Sequence, residues 1–232
     1  MPTVKPQLHA EPVAASERTQ ELPPPRSEGF HRGAAMLAET DLKPSTRGSA
    51  GPLCLIAFAA VTFMFSLVNA SAVSGSVVPV IITTGLIFGG ATQLAGGLIL
   101  IRAGDLLNGA LFSTFGGFWI ILPAYLEWFS KAVPTAQAGH ATGLLLYTFA
   151  AIAAMFLLVS FRTTIATVLA LTNLLATLLL LAAGNYGGHT TLLHIAGVTG
   201  VILAGQALYL AAAEISEYTY GRTIIPLGPL VK

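Results

Sequence analysis

The sequence predicts an all-α, polytopic membrane protein with six transmembrane helices and both termini in the cytoplasm. Three observations carry that expectation. Hydrophobic residues make up 54% of the chain and charged residues 9%, where a soluble domain carries roughly 25% charged residues. Residues 48–101 and 163–213 contain no Lys, Arg, Asp or Glu, and at about 20 apolar residues per crossing each run holds two spans. A soluble core of this size would need charged outer helix faces, and these runs have none. Finally, Lys and Arg gather at alternate ends of the hydrophobic segments, as membrane topology demands.

Residues 1–50 contain Pro23–Pro25, scattered Glu and Arg, and little apolar periodicity. Such a composition buries too little surface to fold alone, so a disordered cytoplasmic tail is expected. It lacks the short apolar core of a secretory signal. It is read either as a solvated tail or as a regulatory one, and Arg32–Leu42 as a possible short helix on the membrane surface.

The transmembrane domain is expected over residues 51–216, with a cytoplasmic tail at 217–232. Its first segment is Pro52–Val73, where Pro52 suits a first helical turn. Val77–Ile101, Leu106–Leu126, His140–Phe161, Thr164–Ala183 and Thr191–Glu214 follow. Turn signals separate them at Ser74–Ser76, Ala103–Asp105, Pro134–Gly139 and Gly184–Gly188. The junction at 162–163 is so tight that helices four and five should be an antiparallel pair.

Lys43 and Arg47 precede helix one, Arg102 and Arg162 occupy the next loops on that side, and Arg222 and Lys232 follow helix six; the other side holds only Lys131. Positive-inside orientation then places both termini in the cytoplasm. Small residues recur every four positions at Gly85/Gly89, Gly109/Ser113/Gly117 and Ala196/Gly200/Ala204, a pattern of close helix packing. Helices two, three and six should therefore pack tightly, within one subunit or between subunits.

The glycine-rich hairpin Gly85–Trp119 carries more polar groups than an anchor needs, among them Gln93, Asn108, Ser113 and Thr114. Polar groups at membrane depth are costly unless they pair or face a cavity. The hairpin is therefore read as one wall of a narrow path. Gln93 either contacts a carboxylate in transit or joins helices, and Asn173 carries the same ambiguity. Asn69 and Asn185 lie near the outer ends of helices one and five, where a mouth would be. His194 is either part of a proton route or a neutral imidazole bonded to a neighbouring helix. Glu214, expected to close helix six, is either a proton acceptor or a surface cap.

Several function classes drop out. A net charge of +1 argues against a nucleic-acid partner. The single Cys54 rules out an intramolecular disulfide and a CxxC zinc site. His189 and His194 point about 140° apart around a helix, so they share no metal-ligand face. No catalytic motif is visible, so neither an enzyme nor a cofactor is expected.

Several stretches together resemble the acetate uptake transporter family, which includes bacterial acetate/succinate–proton symporters. They are Gly89–Gly90–x–x–Gln93, the block Phe112–Ser113–Thr114–Phe115–Gly116–x–Phe118–Trp119, Gly184–Asn185, His194 with Gly197, and the tail Tyr220–Gly228. Pro52–Leu53–x–Leu55 with Phe58 looks like the end of the family's N-terminal signature. The resemblance runs from about 51 to 228, and its Phe-Gly-x-Phe-Trp block and Gly-Arg-Thr tail are the specific parts. It implies a six-helix subunit in a homo-oligomer, usually a hexamer, in the bacterial inner membrane. It further implies a small-carboxylate path coupled to protons through each subunit. By position the family's hydrophobic constriction falls on Phe58, Phe115 and Leu174, with Ala207 nearby setting size.

The chain departs from the family at Cys54, which replaces a glycine, and at Phe115, where Tyr is usual. It also has Leu100 where a Glu is expected. These departures bear on substrate identity and proton coupling rather than on fold. Two alternatives stay open: a transporter of another small solute, such as a neutral molecule or ammonia, and a membrane scaffold or sensor.

Overall fold

A computed structural model describes residues 48–230; the expectations for the N-terminal tail, the Arg32–Leu42 helix and the ends of the positive-inside pattern lie outside them. Six helices long and apolar enough to cross a membrane follow: α1 Gly51–Asn69, α2 Gly75–Arg102, α3 Leu106–Ala132, α4 Thr135–Ser160, α5 Ile165–Gly187 and α6 Thr190–Tyr220. The six-span, all-α expectation holds. Each helix packs on its neighbours in sequence, and α6 closes the bundle against α1. The α4–α5 pair is closely packed, as the short connection requires.

Glycine sets the helix spacing where backbones meet. A Cβ on Gly97 would fall 2.5 Å from Ser113 N and 2.7 Å from Gly109 O, so α2 and α3 touch backbone to backbone. Gly197 and Gly200 hold α6 against the end of α1 in the same way, facing Ala70 and Ser66. Gly117 breaks the expected small-residue face: a Cβ there would meet nothing within 4 Å. The four-residue spacing thus marks the α2–α3 contact at Gly109 and Ser113 but not one turn further on.

Two helices deviate from regular α geometry. Residues Gly85–Thr92 of α2 and Tyr125–Phe129 of α3 are π-helical. The second follows Pro123, which lies inside α3. Pro removes one backbone donor and crowds the turn before it. Gly85 receives that proline; a Cβ on it would sit 2.9 Å from Pro123 Cγ.

Helix ends differ from expectation by several residues in five of the six helices: α1 stops early at Asn69, α3 runs on to Ala132, α4 starts early at Thr135, and α5 and α6 both run longer. The Gly184–Gly188 turn signal does not end α5 at Ala183; the helix runs to Gly187 and stops where Gly188 takes φ +67°. In lipid the backbone must satisfy itself, so helix continues through residues that would break it in water. Asn185 assists by donating to Leu181 O at 2.8 Å. Likewise α6 continues to Tyr220 and ends at Gly221, φ +66°. Glu214 is thus inside the helix, not at its end.

The segment after α6 turns back across the start of α5. Ile165 N donates to Gly228 O at 2.7 Å, Ala166 N to Leu227 O at 3.1 Å, and Leu230 N to Thr163 O at 3.0 Å. Tyr209 OH donates to Pro226 O at 2.6 Å. These bonds satisfy two first-turn amides of α5 that would otherwise lack partners.

Candidate functional site

Two cavities lie along the inside of the bundle. The larger, about 250 Å³, opens among the N-terminal ends of α1, α3 and α5 and the C-terminal part of α6. Its wall includes Leu55, Phe58, Asn108, Phe115, Thr164, Thr167, Leu174, Ala207 and Glu214, and Leu227 of the returning tail. The smaller, about 40 Å³, lies further toward the opposite end and is lined by Thr62, Ser66, Phe118, Trp119, Thr177 and Leu181. Phe58, Phe115, Leu174 and Leu203 line both. These four apolar side chains stand between the two spaces.

The collar is held from behind. Phe115 is 3% exposed and Leu174 7%. Phe115 packs against Phe118 and Phe149 of α4 at centroid distances of 6.2 and 6.1 Å, and Phe118 lies 4.8 Å from Phe149. Tilted and edge-on aromatic contacts of this kind fix ring orientation. Here they fill the junction where the α3 and α4 backbones meet least.

Polarity is uneven on either side of the collar. In the larger cavity Asn108 Nδ2 donates to Asp105 Oδ2 at 2.8 Å, and Asp105 Oδ1 caps α3 by accepting from Asn108 N at 3.2 Å. Thr164 caps α5 in the same manner through Thr167 N. The positive ends of the α1, α3 and α5 dipoles therefore surround this space, which favours an anion there. In the smaller cavity Trp119 and Thr62 are buried, and neither Trp119 Nε1 nor Thr62 Oγ1 has a partner among the described residues. Buried donors without partners are costly, and this cavity has room for a water or a carboxylate oxygen beside them.

The residues singled out from sequence separate into two groups. The structure brings together Phe58, Phe115, Leu174 and Ala207 around one cavity. It does not bring the polar candidates there. Gln93 is fully buried between α1 and α2, where its Nε2 donates to Cys54 O at 3.3 Å while the Cys54 thiol faces Gln93 O at 3.9 Å. Asn173 donates to Thr199 O at 3.1 Å and to Gln206 Oε1 at 2.9 Å, tying α5 to α6. Thr114 and Asn69 are half-buried and line neither cavity. Asn185 caps its own helix. His194 is exposed, with Nδ1 3.4 Å from Ser71 Oγ, in a shallow groove on α6.

Sequence reasoning missed Leu203, the fourth collar residue, which reads as one more leucine in an apolar helix. It also missed the α5 threonines and Leu227, which reach the cavity through the α4–α5 junction and the returning tail. Leu100, the position where the resemblance led to a Glu being expected, is buried against Cys54 and Phe112.

Comparison with known proteins gives a consistent picture. The model of the GPR1/FUN34/yaaH family matches residues 35–231. The succinate-acetate/proton symporter SatP of Escherichia coli K12 is 31% identical over 183 residues, covering 76% of this chain and 93% of that one. The ammonia transport outward protein 2 of Saccharomyces cerevisiae is 31% identical over 170 residues, covering 71% of this chain and 60% of that one. A solved structure of the bacterial acetate channel SatP superposes with a TM-score of 0.73 at 26% identity, covering 78% of this chain and 99% of that one.

Proposed function

The chain belongs to the GPR1/FUN34/yaaH family, and from that premise we propose that it carries small carboxylates such as acetate and succinate across a membrane. One path runs through each subunit, and passage is coupled to protons. The observation that carries this reading is the apolar collar of Phe58, Phe115, Leu174 and Leu203 between two cavities. A bare carboxylate in a dry ring is prohibitive, whereas a protonated acid is not. An acid with a pKa near that of Glu, about 4.3, is neutral in only about one molecule in 500 at pH 7. Flux through such a collar is therefore tied to proton availability.

In this reading the end holding Arg102, Arg162 and Arg222 faces the cytoplasm. The larger cavity is then the cytoplasmic vestibule, and the membrane is the bacterial inner membrane. Subunits associate as a homo-oligomer, a hexamer by resemblance. The exposed apolar faces of α5 and α6, including Leu169, Ile202 and Leu208, supply surface for it. The chain's likeness to a succinate-acetate/proton symporter and to a bacterial acetate channel supports the carboxylate assignment. An apolar collar would also pass neutral ammonia, the solute in the name of the yeast relative.

Purified protein in liposomes separates these solutes. Labelled acetate and succinate uptake, with and without an inward proton gradient, should exceed that of protein-free vesicles and rise with the gradient. Excess unlabelled carboxylate should compete, and ammonium should not. Ammonium-only flux, or none, would overturn the assignment.

A further inference from the structure

Among the described residues Glu214 is the one acidic side chain on the wall of the larger cavity. It lies about two turns before the end of α6, not at the exposed end itself. Its carboxylate reaches across to α1: a Cβ on Gly51 would fall 2.8 Å from Glu214 Oε2. Glycine at position 51 is what leaves room for it. Among the described residues it has neither a hydrogen-bond nor an ion-pair partner.

Among the described residues, the groups that face it add no positive charge. From α1 it faces Gly51, and the titratable groups near enough to act on it through charge are Cys54 of α1, Asp105 of the α2–α3 turn and Glu217 of its own helix. The remaining polar side chains on the cavity wall are uncharged, Asn108 of α3 and the threonines at and just before the start of α5, and the tail adds Leu227. Arg102, at the end of α2, is exposed. Two like charges about 4 Å apart at the effective dielectric of a protein surface repel by the equivalent of roughly a thousandfold in affinity. An ionised Glu214 would therefore expel the anion that the cavity is proposed to receive. A single proton between the two carboxyl groups removes the conflict and turns repulsion into a strong charge-assisted hydrogen bond.

We infer that Glu214 shares one proton with the substrate's carboxylate in this cavity, forming a hydrogen-bonded carboxyl–carboxylate pair. The inference rests on the carboxylate reading above and names the residue through which the proton enters. The balance is simple. One proton from water and one substrate anion join the Glu214 carboxylate. The neutral acid then leaves toward the collar, and Glu214 remains as the anion, ready for the next proton. The threonine hydroxyls and the positive ends of α1, α3 and α5 stabilise the single negative charge of the pair.

The test compares wild type, Glu214→Gln and Glu214→Asp in liposomes by labelled acetate exchange between pH 6 and pH 8. One proton bound per acetate makes the wild-type KM rise about tenfold per pH unit where both carboxyls are ionised. An amide donates to the anion without taking up a proton, so Glu214→Gln should shift KM less than twofold over the same range, at a lower maximal rate. Glu214→Asp should keep the wild-type slope. Were Glu214 only a packing residue, Glu214→Gln would alter stability and leave the pH slope of KM unchanged. Should Glu214→Gln fail to fold, a pH dye in weak buffer at pH 8 reads the same coupling on wild type, with one proton taken up per acetate bound. An unchanged slope in Glu214→Gln, or no proton uptake by wild type, overturns the inference alone. Wild-type exchange no faster than protein-free vesicles overturns the carboxylate reading and this inference with it.

Discussion

Replacing Phe115 with Ala should change which form of the substrate crosses the collar. Holding an acid protonated at pH 7, when its pKa is about 4.3, costs about 3.7 kcal/mol. Desolvating the anion in a dry ring costs several kcal/mol more than a wet path would, so the neutral route wins in wild type. Phe115 lines both the 250 Å³ and the 40 Å³ spaces. Truncating it joins them into one space that polar donors on both sides can hydrate. Once the anion's barrier falls below about 3.7 kcal/mol, the anion route takes over. Labelled acetate exchange with equal pH on both sides, corrected for protein-free vesicles, reads this directly. Wild-type flux should fall about tenfold per pH unit from pH 6 to 8 and ignore membrane potential. Phe115→Ala should flatten that slope and make flux potential-dependent, because a charge crossing the membrane feels about 2.3 kcal/mol per 100 mV. A buried Phe→Ala change costs about 3–5 kcal/mol of stability. The lower end applies here because the site already borders open space, and a melting curve in detergent checks it. A wild-type flux indifferent to pH, or a variant that keeps the tenfold slope, would refute the reasoning.

Two further substitutions probe the scaffold. Gly97→Ala drives a methyl to 2.5 Å from Ser113 N, where backbone cannot yield, so it should lower the melting temperature sharply. Gly117→Ala, which meets nothing within 4 Å in the subunit, should hold stability or raise it by up to about 1 kcal/mol through helix propensity. Gln93→Leu removes a donor whose acceptor, Cys54 O, lies in α1, together with an Oε1 that has no partner among the described residues. Stability should change by no more than about 1 kcal/mol and acetate flux should persist; loss of flux at unchanged stability would instead put Gln93 on the path.

The fold was legible because lipid leaves few choices. Two charge-free runs and alternating Arg positions were enough to place six helices, since a backbone in hydrocarbon must bond to itself. The helix ends were less legible for the same reason: Gly184 to Gly187 stay helical where an aqueous chain would turn. The collar could be named through Phe58, Phe115 and Leu174 only by resemblance, because a pore-facing phenylalanine and a lipid-facing one are alike in an apolar sequence. Leu203 shows this limit most clearly. The polar side chains misled in the opposite direction. Gln93, Asn173 and Asn185 each find a backbone carbonyl within the bundle, so intramembrane polarity here marks helix contacts more often than the path.

The distribution of small and large residues explains why the narrow point is dry. Where α2 meets α3 and α6 meets the end of α1, glycines bring backbones together and leave no space for water. On the cavity side the same helices present Phe58, Phe115 and Leu203, and α5 adds Leu174 opposite them. Close backbone packing on one side thus pushes the bulky groups inward to a common level, where the Phe118–Phe149 contact keeps Phe115 from swinging away. Phe115 brings no hydroxyl to that level, and the donors nearest the path lie on either side of it, in threonines and Asn108 below and Trp119 and Thr62 beyond. A carboxylate can be solvated by protein up to the collar and again after it, but not within it. On the proposed carboxylate reading the proton is acquired before the collar is reached, and Glu214 is, among the described residues, the one carboxyl on the wall of the larger cavity placed to provide it.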